Sequence, residues 1–135
     1  VHGAGIGSRP GLLAGGSSAL AEAGINIHSG LTSHTCISLL LDPADAARGL
    51  KRLRGMIDGV IKKVALEENL ALAGVVGERI MEKEGIYARI FTAVARERIN
   101  VEMAAAGASP VACYFLVRKA ELDRALRAVH DEFFP

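Results

Sequence analysis

The segment Gly7-Ser8-Arg9-Pro10-Gly11-Leu12 holds the residue types best suited to chemistry near the start of the chain. Pro10 fixes φ and Gly11 allows close backbone approach. A helix beginning there would present free N–H groups, which suit a carboxylate. An ordinary turn with a helix cap accounts for the same residues equally well. Just upstream, Gly3-Ala4-Gly5-Ile6-Gly7 invites a nucleotide reading. It departs from the dinucleotide fingerprint, because Ser8 stands where the last glycine is required and no strand precedes it. A flexible approach from strand to helix explains these glycines better. His28 and His34 are expected to flank a turn between two strands, and Thr32-Ser33-His34-Thr35 forms a polar loop. That loop is either a plain turn or one wall of a pocket for a polar small molecule. Two histidines without nearby Cys, Asp or Glu do not make a metal site. Cys36 and Cys113 each sit in an apolar run, so both are expected to be buried free thiols without catalytic context. His2 and His130 show no evident partner. The groups Lys51-Arg52-Leu53-Arg54 and Arg124-Ala125-Leu126-Arg127 read as solvated helix faces. No carboxylate pair and no Ser-His-Asp signature stands out, so the sequence is a poor candidate for an enzyme.

The elements that position these residues emerge from an internal repeat. AGINIH at residues 23–28 recurs as RERINVE at residues 96–102, and ISLLLD at 37–42 matches CYFLVR at 113–118. The offset is 74 residues up to the second strand, and the loop that follows is two residues longer in the second copy. Each copy reads as strand, helix, strand, strand, helix. In the second copy, residues 70–76 form a short apolar strand and residues 85–97 carry Ile86, Ile90, Ala93 and Val94 at helical spacing. Ile99 to Met103 alternates apolar with polar, as a half-buried strand does. Val111 to Val117 reads as another strand, and Leu122, Ala125, Leu126, Val129 and Phe133 make one helical stripe. In the first copy, Asp42-Pro43 suggests a helix start and residues 60–65 a fourth strand.

The resulting class is α+β, two ferredoxin-like βαββαβ units with antiparallel sheets, expected at residues 1–66 and 67–135. The second unit has no fourth strand after its last helix. Its open edge is therefore expected to pair with the chain's own first residues or with a partner chain. Residues 1–70 hold eleven of the fifteen glycines, which predicts a looser first copy.

Composition removes several function classes. Apolar residues make up 50% of the chain and charged residues 23%, which is globular composition. A net charge of +1 and 4% aromatic residues argue against nucleic acid as a partner. No window approaches the ~20 consecutive apolar residues of a membrane span. The start, Val1-His2-Gly3, has neither an initiator Met nor a basic region, so the chain is expected to be a fragment. Two free cysteines fit a cytoplasmic location.

The strings RPGLLAGGSSALAEAGINI (9–27), INVEMAAAGAS (99–109), EENLALAGVVGE (67–78) and VHDEFF (129–134) resemble the tandem ACT domains at the C-terminus of aspartate kinases. The resemblance implies two ACT domains and a regulatory role. An end-product amino acid, lysine or threonine, would bind at ACT interfaces in a homodimer and feedback-inhibit a kinase domain upstream of Val1. ATP and magnesium would belong to that kinase domain, leaving this segment without a cofactor. The family's effector loop maps to Ser8, Arg9, Gly11 and Leu12. The strand that follows its first helix maps to Ile27 and His28, with His28 where lysine-sensitive members often carry an acid. Thr32 and Ser33 match a Thr-Ser-Glu motif whose third member is His34 here. The second copy supplies Asn100, Val101 and the acid Glu102, while Lys83-Glu84-Gly85 replaces Arg-Pro-Gly. A structural or dimerising module with degenerate effector positions is the alternative.

Overall fold

The computed structural model describes residues 1–80, 82–107 and 109–135. The chain divides into two units, Val1–Glu68 and Asn69–Pro135. Each is α+β with an antiparallel sheet and two helices, the class read from the repeat.

In the first unit, a short 3-10 turn at Ile6–Ser8 leads to helix α1, Leu12–Glu22. Gly11 precedes it at φ 83°, a left-handed conformation that glycine adopts without a Cβ penalty. Leu12, Gly16 and Leu20, four residues apart, form the buried stripe of α1. Strands β1 (Ser29–Thr32) and β2 (Ile37–Leu40) form a hairpin, with Ser29 opposite Leu40 and Thr32 opposite Ile37. A 3-10 turn at Pro43–Asp45 opens into α2, Ala46–Arg54. Leu20, Ile25, Ile37, Leu53, Ile61 and Val64 belong to one core. The last turn of α2 carries Lys51, Arg52 and Arg54, which suits the negative end of the helix dipole.

The expected fourth strand at 60–65 shrinks to a single bridge. His2 pairs antiparallel with both Cys36 and Lys63. The N–H groups of Lys62 and Lys63 both donate to the His2 carbonyl, which breaks the regular alternation of a ladder.

In the second unit, β3 (Leu70–Val76), β5 (Ala112–Arg118) and β4 (Met103–Ala105) form a sheet in the order β3-β5-β4. Helix α3 spans Ile86–Arg96 and α4 spans Leu122–Phe133, and the two pack against each other. Phe115, Ile90, Val94, Val117 and Cys113 are fully buried, and Phe91 meets Phe115 edge-on at 6.0 Å. The strand expected at 99–103 starts at Met103 instead. Ile99 is buried and Val101 packs on the core, so both alternate as expected, but the β4 backbone first meets β5 when Glu102 N–H donates to the Leu116 carbonyl.

The chain's own first residues are already paired on both sides within the first unit. His2 N–H donates to Lys63, while Gly3 N–H donates to Thr35 and the Val1 carbonyl accepts from Ile37. Among the described residues, β3 pairs on one side only, and Leu72 and Val76, on the face of β3 turned from the core, are 48% and 71% exposed. No helix among the described residues is long and apolar enough to cross a membrane.

Candidate functional site

The loop ahead of α1 is held from two sides. Gly7 N–H donates to the His34 carbonyl at 3.0 Å. A Cβ on Gly7 would lie 2.8 Å from His34 Cα, so only glycine fits there. A Cβ on Gly3 would lie 2.0 Å from the Val60 carbonyl oxygen. Close contact between neighbouring segments, with positive φ at Gly5 and Gly11, is the physical reason for this glycine run. On the other flank, Arg9 Nη1 donates to Asp58 Oδ2 at 2.6 Å.

Helix α1 begins without a side-chain cap and without an acidic residue in its first turn. Its first N–H groups therefore open onto the exposed residues Gly11 and Leu13, where a carboxylate would be favoured. Ser33 closes the neighbouring loop as a hydroxyl turn: its Oγ accepts from Cys36 N–H at 3.1 Å. Ser8, Arg9, Gly11, Leu12, Thr32, Ser33 and His34 thus gather at one end of the first unit.

Ile27 and His28 lie at the other end. His28 N–H donates to the Leu40 carbonyl, so His28 adjoins the far end of the hairpin. The four residues of β1, roughly 13 Å at ~3.3 Å per residue, separate it from Ser33 and His34. The two histidines therefore do not flank one turn, as the sequence had suggested. His28 Nε2 sits 2.8 Å from Asp42 Oδ2. Asp42 consequently gives no side-chain cap to the turn at Pro43. Asn100, Val101 and Glu102 lie in the second unit, where Arg118 Nε donates to Glu102 Oε1 at 3.0 Å.

These two pairs occupy matching places in the repeat with the acid on the opposite member. His28 corresponds to Glu102, and Asp42 to Arg118. Arg118 and Asp58 were not singled out from the sequence, and Asp42 was read only as a helix start. Opposite signs at their matched positions would have revealed Asp42 and Arg118, and the Asp-Gly turn signal at Asp58-Gly59 would have revealed Asp58.

Asp58 carries the clearest electrostatic signature. Its Oδ1 accepts from Ile61 N–H at 2.8 Å and from Val60 N–H at 2.7 Å. Those bonds and the Arg9 guanidinium pull its carboxyl down to about 2. Glu132 is also lowered, chiefly by Arg89, whose guanidinium lies 4.3 Å from the centre of the Phe133 ring.

The cysteines differ from each other. Cys113 is buried, which pushes its thiol up. Cys36 is only half-buried, because the next residue, Ile37, takes the core-facing position and alternation turns Cys36 away. His130 does have neighbours, Asp131 at 3.3 Å and the Phe134 ring at 5.2 Å. Arg124 is not simply solvated, since it donates to the Glu97 carbonyl at the end of α3. Arg48 does the same to Ala23 at the end of α1. Among the described residues, no group of three His, Cys, Asp or Glu is placed to hold a metal.

Antiparallel sheets packed with helices place both units in the ferredoxin-like α+β class, and residues 74–133, in the second unit, match the ACT domain family. The chain is 39% identical over 72 residues to aspartokinase 3 of Bacillus subtilis, an alignment covering 53% of this chain and 16% of that protein. It is 31% identical over 131 residues to chloroplastic aspartokinase 1 of Arabidopsis thaliana, covering 92% of this chain and 22% of that one. The crystal structure of the ligand-free regulatory subunit of aspartate kinase from Thermus thermophilus superposes with a TM-score of 0.86 at 27% identity. That superposition covers 94% of this chain and 85% of the Thermus subunit. The chain is an ACT regulatory region of the aspartokinase type. It spans about a sixth of the length of its curated relatives.

Proposed function

We propose that this chain is the amino-acid-sensing part of an aspartate kinase. Its two units are tandem ACT domains that associate as a homodimer, and its effector is lysine or threonine. The kinase domain, with its ATP and magnesium, lies outside these residues. The observation that carries the reading is the uncapped start of α1 beside the Gly7–Gly11 loop, within a fold shared with aspartate kinase regulatory subunits.

An effector's α-carboxylate suits the free N–H groups of that helix start, with Ser33 and His34 alongside. Binding regulates only if it differs between two conformations of the parent protein, since an effector with equal affinity for both shifts neither. A thermal-shift panel of the twenty amino acids tests the reading. Lysine or threonine is expected to raise the melting temperature with concentration, by the equivalent of about 2.7 kcal/mol at 100 times Kd. Silence across the panel would overturn effector binding. It would support a second reading, a structural or dimerising module. That reading is favoured by Arg9, His28 and Glu102, each of which is engaged by a charged partner of its own unit.

A further inference from the structure

We propose that Arg9 is a positioning residue which, through Asp58, ties the loop ahead of α1 to the sheet-edge segment 60–63, so that occupancy of the loop is read at the edge of the sheet. The ligand-dependent half of this proposal rests on the effector reading above; the mechanical link does not.

A continuous path of hydrogen bonds carries it. Arg9 holds one oxygen of Asp58 at 2.6 Å. The other oxygen holds Val60 and Ile61 N–H at 2.7 and 2.8 Å. Asp58 N–H closes the turn by donating to the Ile61 carbonyl at 3.2 Å. Ile61 is 2% exposed and anchors the turn in the core. The next two N–H groups, of Lys62 and Lys63, bind the His2 carbonyl at 2.8 and 3.1 Å. One carboxylate therefore fixes both the loop that leads into α1 and the segment that bridges to His2.

The two holds on the loop are unequal. Gly7 to His34 is a backbone contact with no room for a side chain. Arg9 to Asp58 is a half-exposed side-chain pair, the kind that exchanges partners readily. Arg9 stands three residues before Leu12, where the free N–H groups of α1 begin. A carboxylate arriving there offers the guanidinium a second acceptor in competition with Asp58. Asp58 then keeps its two N–H donors but loses its cation, and the 60–63 segment loosens. The matching residue of the second copy is Lys83, a point charge without the guanidinium fork.

The test uses the 135-residue chain with Arg9→Ala, Arg9→Lys and Asp58→Asn. Carboxyl NMR follows the titration of Asp58, and amide exchange follows Val60 to Lys63, with and without lysine or threonine. Arg9→Ala should raise the Asp58 midpoint from about 2 toward 3.8 without reaching it, because the Val60 and Ile61 donors remain. It should speed exchange at Lys62 and Lys63 roughly two- to fivefold and abolish the ligand-induced change there. Arg9→Lys should restore part of both effects. Asp58→Asn removes the Arg9 pair and leaves the turn a weaker, neutral acceptor, so it should speed exchange at least as much as Arg9→Ala. An Asp58 midpoint and exchange rates unmoved by Arg9→Ala would overturn the link. An equal ligand-induced change in the native chain and in Arg9→Ala would show that the signal bypasses Arg9, which also overturns the proposal. If neither amino acid binds, the effector reading and the ligand-dependent half fall together, while the first two measurements still decide the link.

Discussion

Midway along the first helix of each unit, unit 1 carries Gly16 where unit 2 carries Ile90. Ile90 is fully buried among Phe115, Val94 and Val117. Around Gly16 lies a cavity of about 10 Å³ lined by Leu12, Ile37, Leu53, Met56 and Ile61. The second helix differs: Gly49 matches Ala125 in the repeat, but Leu41 Cδ1 already stands 2.5 Å from where its Cβ would be. The sheets differ in step: seven register pairs join β3 to β5, whereas four join β1 to β2. One pattern of apolar positions therefore supports two cores of unequal quality. Periodicity decides which face is buried, and side-chain volume decides how well that face is filled.

Breaking the better core tests the contrast most severely. Ile90→Ala should destabilise the chain by about 2–5 kcal/mol, measured by urea unfolding, because the site is fully packed and cannot collapse. Repairing the poorer core should have the opposite sign and a smaller size. In Gly16→Ala the new Cβ would meet Leu53 Cδ2 at 3.6 Å, an ordinary contact. A gain of about 0.5–1 kcal/mol is expected from helix propensity, and a loss in the same assay would show that the cavity is needed.

The two matched ion pairs offer a finer comparison. Both pairs bridge the start of one strand to the end of its neighbour, and both are well solvated. His28→Glu alone sets like charges together and Asp42→Arg alone removes the acid that His28 meets, while the double exchange recreates the second unit's arrangement in the first. A double-mutant cycle should give a coupling of about 0.2–1 kcal/mol, reduced by salt. Zero coupling would mean that sign at these positions is indifferent to stability.

The smallest effect concerns acid. The folded Asp58 carboxyl is held near 2, below its ordinary 3.8, so it binds protons less readily folded than unfolded. Its contribution is complete above about pH 4 and is lost as pH falls toward 2. Asp58→Asn should flatten that part of the stability profile, as followed by thermal melts across the range.

Legibility from sequence varied with the physics behind each signal. The stripe Leu122, Ala125, Val129 and Phe133 delivered α4 with its observed ends, and LALAGVV delivered β3. Both signals reflect burial of side chains, which periodicity encodes directly. Segments 99–103, which alternates apolar with polar, and 60–65 both read as strands but formed little ladder. Alternation reports where side chains point, whereas a strand also needs a paired backbone opposite. The excess of glycine in the first copy read as looseness around Gly3, Gly5, Gly7, Gly15 and Gly16, but at Gly3 and Gly7 it marks close contacts with no room for a Cβ. The candidate residues were less legible: Ser8 to Leu12 and Thr32 to His34 converge, yet His28 lies at the opposite end of the strand.

Sequence alone determined the duplication, the α+β class and the faces that form each core, because those follow from the spacing of apolar residues along the chain. Tertiary structure decided which charges meet. Arg9 finds Asp58 across 49 residues, and Arg89 finds Glu132 across 43. Ion pairs at such separation depend on how helices and strands stack, and no local spacing encodes that.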